Sequence, residues 1–144
     1  AQPPEIQVRG QAAPAYPGAV SSRVNVSSES TYERAVGYCR AVRVGPHIAI
    51  SGTTGAGDDI VEQTRNALQR IESALSDVGA ALSDVIRTRI YVTDISRWRA
   101  VGAVHAEFFG TVRPVATMVE VAALIEPGLF VEIEADAYVD GSNG

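Results

Sequence analysis

The sequence predicts an α+β fold in which one mixed sheet carries two helices on a single face. Three patterns lead to it. Ile60, Thr64, Ala67, Leu68, Ile71, Leu75 and Val78 recur at three- and four-residue intervals, which puts them on one stripe of a helix. Ile86, Thr88, Ile90 and Val92 alternate with Arg87, Arg89, Tyr91 and Thr93, the two-residue period of a half-buried strand. The same period returns near the end, where Leu129, Val131, Ile133, Ala135, Ala137 and Val139 oppose Phe130, Glu132, Glu134, Asp136 and Tyr138.

Residues 1–22, rich in Ala, Pro, Gln and Gly without periodicity, read as an extended or disordered arm, and residues 141–144 as a flexible tail. The span 23–140 is a single domain. Ser27, Ser28, Glu29 and Ser30 read as loop, and regular structure is expected to begin near Tyr38. Two short strands, 39–44 and 47–51, flank Gly45-Pro46 as a hairpin. The loop 52–57 leads into the first helix, which Asp58 and Asp59 open and Gly79 closes. A second helix over 96–109 places Trp98, Val101, His105 and Phe108 on one stripe and stops at Gly110. Strands over 116–121 and 129–139 complete the order ββαβαββ.

At 144 residues, with 46% hydrophobic and 20% charged positions, the chain suits one soluble globular domain. Nothing approaches the roughly 20 consecutive apolar residues of a membrane span. All 12 basic residues are Arg, so chemistry that needs a lysine amine is excluded: a Schiff base, a lysine nucleophile or a Walker-type phosphate lysine. The net charge of −5 offers no general attraction for nucleic acid. A single cysteine and two histidines make neither a disulfide nor a structural zinc site, and no metal or cofactor is expected. The reading is a reducing, cytoplasmic compartment, since the first residues lack the basic and apolar regions of a signal peptide.

With helices on one face, the other would carry Arg87, Arg89, Glu120, Glu132, Glu134 and Tyr138. Such a face is either solvated or an assembly surface; assembly is the expectation.

The chain from Tyr38 to Val139 resembles the Rid/YjgF family. The segments that carry the resemblance are Gly37-Tyr38-Cys39-Arg40-Ala41-Val42, Ile50-Ser51-Gly52, Ile90-Tyr91-Val92-Thr93-Asp94, Glu107-Phe108-Phe109-Gly110, Pro114-Val115-Ala116-Thr117-Met118-Val119-Glu120-Val121 and Val131-Glu132-Ile133-Glu134-Ala135. The resemblance implies a chorismate-mutase-like fold, a homotrimer and a ligand site in each cleft between subunits. It also implies hydrolysis of enamines and imines, such as 2-aminoacrylate, to a ketoacid and ammonia. In that branch an arginine of Pro-Ala-Arg-Ser grips the substrate carboxylate; here the position is Ala116, and a second polar position, an asparagine, is Gly102. The acidic position survives as Glu132 and the aromatic one as Tyr38. A charged hydrogen bond contributes roughly 1.5–3 kcal/mol, so an anchor lost at 116 weakens carboxylate binding there.

By this resemblance Glu132 is the catalytic candidate, holding or protonating a water; the alternative is structural neutralisation by Arg87 or Arg89. Tyr38, Ala116 and Thr117 are candidate ligand-binding positions, and Tyr38 equally fits a subunit seam. Arg40 is a candidate anion contact. Arg113 is another, although three residues of extended chain put it roughly 10 Å from Ala116 and on the opposite side. His105 is a candidate proton shuttle or a packed histidine, and Cys39 reads as an inert thiol. The glycine-rich loop 52–57 lacks a Lys-Ser/Thr ending and runs into two acids, so it is not a phosphate loop. The expected function is a trimer that binds a small metabolite and hydrolyses an enamine, imine or related C–N bond. The alternative is a non-enzymatic ligand-binding or protein-interaction trimer on the same fold.

Overall fold

Helix α2 (Ile60–Asp77) starts where Asp59 accepts the Glu62 amide at 2.8 Å, while Glu62 in turn accepts from the Asp58 amide at 3.0 Å. Its stripe of Ala67, Leu68, Ile71 and Leu75 is fully buried, as the spacing predicts. The computed structural model describes residues 23–140 and the backbone of residues 6–8. Most of the arm expected at 1–22, and the tail at 141–144, lie outside the described residues.

The sheet has seven strands: β1 (Ile6–Val8), β2 (Arg23–Val26), β3 (Ala41–Val44), β4 (His47–Thr53), β5 (Val85–Val92), β6 (Val115–Glu120) and β7 (Val131–Tyr138). Their order is β1-β2-β3-β4-β7-β5-β6. β3 and β4 form the expected hairpin, and β7 lies antiparallel between β4 and β5. β5 and β6 are parallel and joined through α3 (Trp98–Phe109), the crossover that parallel neighbours require. α2 and α3 pack together over Ile48, Ile50, Ile90, Val92 and Ile133, so the α+β class with both helices on one face is as the sequence predicts. No helix among the described residues is long and apolar enough to cross a membrane.

Four details differ from the sequence reading. First, regular structure begins before Tyr38, with β2 and a short helix α1 (Thr31–Val36) capped by Ser30 and ended by Gly37 at φ 88°. Six residues are too few to show a helical period. Second, a bulge between Val85 and Arg87 in the β5–β7 ladder leaves Ile86 55% exposed and buries Val85 instead. Third, α3 buries Val101, Val104 and Phe109, while Trp98 is 48% exposed. Fourth, Glu120 aligns with buried Val92 rather than with the charged row, and accepts the Ile95 amide at 3.0 Å.

Candidate functional site

The open sheet face is charged but largely paired within itself. Arg89 reaches both Glu134 and Asp136 at 3.3 Å, Arg87 approaches Asp136 at 3.8 Å, and the Tyr91 hydroxyl donates to Glu134 at 3.0 Å. Glu132, on the same face, is left out: its carboxylate takes no hydrogen bond among the described residues. Neither Arg87 nor Arg89 pairs with it.

A second irregularity makes the room around it. The β4–β7 register shifts between Ile50 and Thr53, and Gly52 faces the Glu132 carboxyl so closely that an added Cβ would lie 2.9 Å from its Cδ. Here, at the end of the sheet, opens a cleft of about 220 Å³ lined by Tyr38, Arg40, Gly52, Arg70, Glu126 and Glu132 among others. Burial pushes the Glu132 carboxyl above its usual range and Glu134 adds to this, against the opposing pull of Arg40.

Arg40 is only 6% exposed. Its Nη1 donates to the Thr53 hydroxyl at 2.6 Å and to the Gly52 carbonyl at 2.9 Å, whereas its buried Nε has no partner among the described residues. Across the mouth, the Tyr32 hydroxyl donates to Glu126 at 2.5 Å and ties α1 to the loop that precedes β7. α1 is itself fixed by Glu33, which accepts from the Ser27 hydroxyl and from the amide and hydroxyl of Ser28.

Of the residues singled out from the sequence, the structure thus brings Tyr38, Arg40 and Glu132 together. Ala116 and Thr117 lie on β6, the outer strand, paired with Thr88 and Arg89, with β5 between them and β7, whose Glu132 lines the cleft. Arg113 is in the exposed turn before β6. His105 sits on the helix side of the sheet: its Nε2 is 2.9 Å from the Thr88 hydroxyl and its ring 4.8 Å from Phe109, and burial lowers its pKa. The Cys39 thiol donates to the Ala41 carbonyl at 3.4 Å, and burial raises its pKa. No group of three or more His, Cys, Asp or Glu among the described residues is placed to hold a metal ion.

Arg70, Tyr32 and Glu126 escaped the sequence reading. Arg70 had one visible signal: it flanks the buried stripe, three residues after Ala67 and four before Ala74, where a long side chain can lie along the apolar edge with its head outward. Tyr32 and Glu126, 94 residues apart, had none.

The family model described as Endoribonuclease L-PSP matches residues 29–139. A solved structure of a Mycobacterium tuberculosis member of the YjgF/YER057c/UK114 family is 69% identical, with a TM-score of 0.81 over 82% of this chain and 100% of that one. An uncharacterised protein of Streptomyces coelicolor is 34% identical over 120 residues, 78% of this chain and 90% of the relative. The 3-aminoacrylate deaminase RutC of Acinetobacter baylyi is 36% identical over 81 residues, 56% of this chain and 64% of its own length.

Proposed function

The chain belongs to the YjgF/RidA family, and we propose that it is a cytoplasmic homotrimer whose clefts bind a small metabolite and hydrolyse its imine or enamine C–N bond with Glu132 as acid–base. The observation that carries this reading is the environment of Glu132: half-buried, without a hydrogen-bond partner among the described residues, raised in pKa by burial, and facing a cleft beside Tyr38. A carboxyl whose proton affinity is raised by burial is better able to hold and return a proton, which is what water addition to an imine needs. In the imine reaction, Glu132 in its protonated form delivers a proton to the nitrogen as water adds to carbon. The carboxylate then takes a proton from the added water and returns it to the amino group; ammonia leaves as the C–N bond breaks, and the hydroxyl gives up its proton to the carboxylate to form the ketone. Similarity to a deaminase of 3-aminoacrylate supports the substrate type. Exposed Val115 and Val119 on the outer strand support assembly through that edge.

The second reading, a binding or interaction trimer without catalysis, draws on Ala116, exposed on the outer strand, and on Gly102, where an added Cβ would meet nothing within 4 Å. Generating 2-aminoacrylate in situ and following pyruvate separates the two. The wild type should accelerate pyruvate release over buffer by at least about tenfold. Glu132→Gln should return it to the buffer rate while light scattering still gives three chain masses. Equal rates with and without protein favour the binding trimer, and a monomeric mass removes the shared cleft.

A further inference from the structure

The irregularity in β4 that brings Gly52 against Glu132 is held from outside the ladder. Between the Ile50–Ala135 and Thr53–Ile133 pairs, β4 has two residues, Ser51 and Gly52, where β7 has one. A bulge of this kind takes backbone groups out of the ladder, and buried carbonyls then need another donor. The Arg40 Nη1 is that donor: it reaches the Gly52 carbonyl at 2.9 Å, the Ser51 carbonyl at 3.4 Å and the Thr53 hydroxyl at 2.6 Å. The Thr53 hydroxyl donates in turn to the Ser51 carbonyl at 2.7 Å. One guanidinium nitrogen thus touches every residue of the segment 51–53.

The side chain that reaches there starts from a fixed point. The Arg40 amide donates to the Val26 carbonyl at 2.7 Å, its carbonyl accepts the Ser51 amide at 3.0 Å, and the Ser51 hydroxyl donates to the Cys39 carbonyl at 2.6 Å. Arg40 is therefore tied to β2 and to β4 before its side chain turns. Burial and Arg70 on α2 work against its charge, while Tyr38, Glu33 on α1 and Glu132 on β7 favour it. Asp77, also on α2, lines a small hollow of about 110 Å³ that Arg40 and Arg70 share. The place of the guanidinium is defined by the bulge it holds and by these acids.

We propose that Arg40 is the positioning residue of the cleft: by clamping Ser51, Gly52 and Thr53 it keeps Gly52 packed on the Glu132 side chain and fixes one positive charge beside that carboxyl. This rests on the reading of Glu132 as the acid–base of the cleft, and says what holds that group in place and what controls its proton. A Cβ on Gly52 would lie 2.9 Å from the Glu132 Cδ, so any slide of the bulge either crowds the carboxyl or opens it to water. Burial raises the proton affinity of Glu132, Arg40 lowers it and Glu134 adds to the rise. Tyr91 stands opposite on β5, and the other ionisable groups lining the cleft are Tyr32, Tyr38, Arg70 and Glu126.

Carbon-13 NMR of the Glu132 carboxyl through a pH titration of the full chain tests this without substrate. Arg40→Gln should raise the Glu132 midpoint by about one pH unit, because the lost charge outweighs any loosening of the bulge. Thr53→Val removes a hydroxyl from the clamp and leaves every charge in place. It should lower the midpoint by about half a unit as water reaches the carboxyl, and Thr53→Ser should restore the wild-type value. Arg70→Gln, at a second cation lining the cleft, should move the midpoint less than half as far as Arg40→Gln. A midpoint that does not rise in Arg40→Gln, that Arg70→Gln raises by half as much or more, or that Thr53→Val leaves where it was overturns the assignment. Should Arg40→Gln fail to fold, the Thr53→Val and Thr53→Ser pair decides alone. Midpoints that move as stated in a protein with no imine hydrolysis uphold the clamp and reject the hydrolase reading. Unmoved midpoints in a protein that hydrolyses imines do the reverse, so the two fail separately.

Discussion

Glu132 and Glu134 stand two residues apart on one face of β7, yet the fold treats them differently. Glu134 lies opposite Arg89, and receives that guanidinium at 3.3 Å and the Tyr91 hydroxyl at 3.0 Å. Glu132 lies opposite Tyr91 on one side, and on the other meets the β4 irregularity at Gly52, which offers it no donor. One carboxylate is neutralised in place. The other is held in a half-dry cleft with its proton affinity raised. Residue type and strand face are the same, so the cross-strand neighbour decides the difference, and a register shift chooses that neighbour.

Gly52→Ala gives the comparison its hardest test. The glycine has no positive φ to preserve, so the backbone tolerates alanine, but the new Cβ would crowd the end of the Glu132 side chain at 2.9 Å and displace it. We expect imine hydrolysis to fall by about 10²-fold with thermal stability nearly unchanged, because a misplaced general acid loses most of its contribution. A rate within about twofold of wild type would mean that the position of Glu132 does not matter.

Glu33 extends the comparison to a fully satisfied carboxylate. Burial acts to raise its pKa, but the Ser28 hydroxyl and amide and the Ser27 hydroxyl outweigh it, and the net shift is downward. A depressed pKa contributes stability above the unfolded carboxylate value and loses it as pH falls through the folded one. Glu33→Ala should therefore cost about 2–3 kcal/mol at pH 7 by denaturant melts, with the gap to wild type closing below about pH 4. A constant gap across pH would assign the loss to packing instead.

The smallest effect has the opposite sign. Glu132 is raised, so the unfolded chain gives up this proton first, and stability falls as pH climbs from the unfolded value through the folded one. Glu132→Gln removes that penalty. Its melting temperature should exceed wild type by about 1–3 °C at pH 7.5 and match it near pH 4. A variant less stable than wild type at pH 7.5 would show that Glu132 is a paired structural acid like Glu134.

The fold and the site were legible to different depths. Helix α2 and strand β7 were readable because long apolar periods write themselves into sequence: every apolar position predicted on β7 between Val131 and Ala137 is buried. The phase of β5 was readable from Thr88 onward but not at Ile86, because a bulge adds a residue without leaving any mark in composition. α1 was missed for its length, although Ser30 and Gly37 stand at its two ends as ordinary stop signals. Within the site, Tyr38 and Glu132 came from family resemblance, and Arg40 from its place in the same segment as Tyr38. Their gathering beside Arg70 came from contacts between segments far apart in the chain.

By itself the sequence determined what local physics and residue type control. These are the α+β order from Tyr38 onward, the helical and strand faces, and the lack of any lysine in the sequence. Tertiary structure alone decided which charges meet. A charge interacts with whatever lies within a few ångströms, and that distance depends on strand register and on how α2 crosses the sheet, neither of which a one-dimensional pattern encodes. Thus Arg89 was free to choose any acid on its face and took Glu134 and Asp136, leaving Glu132 beside the cleft that Arg40 and Arg70 floor.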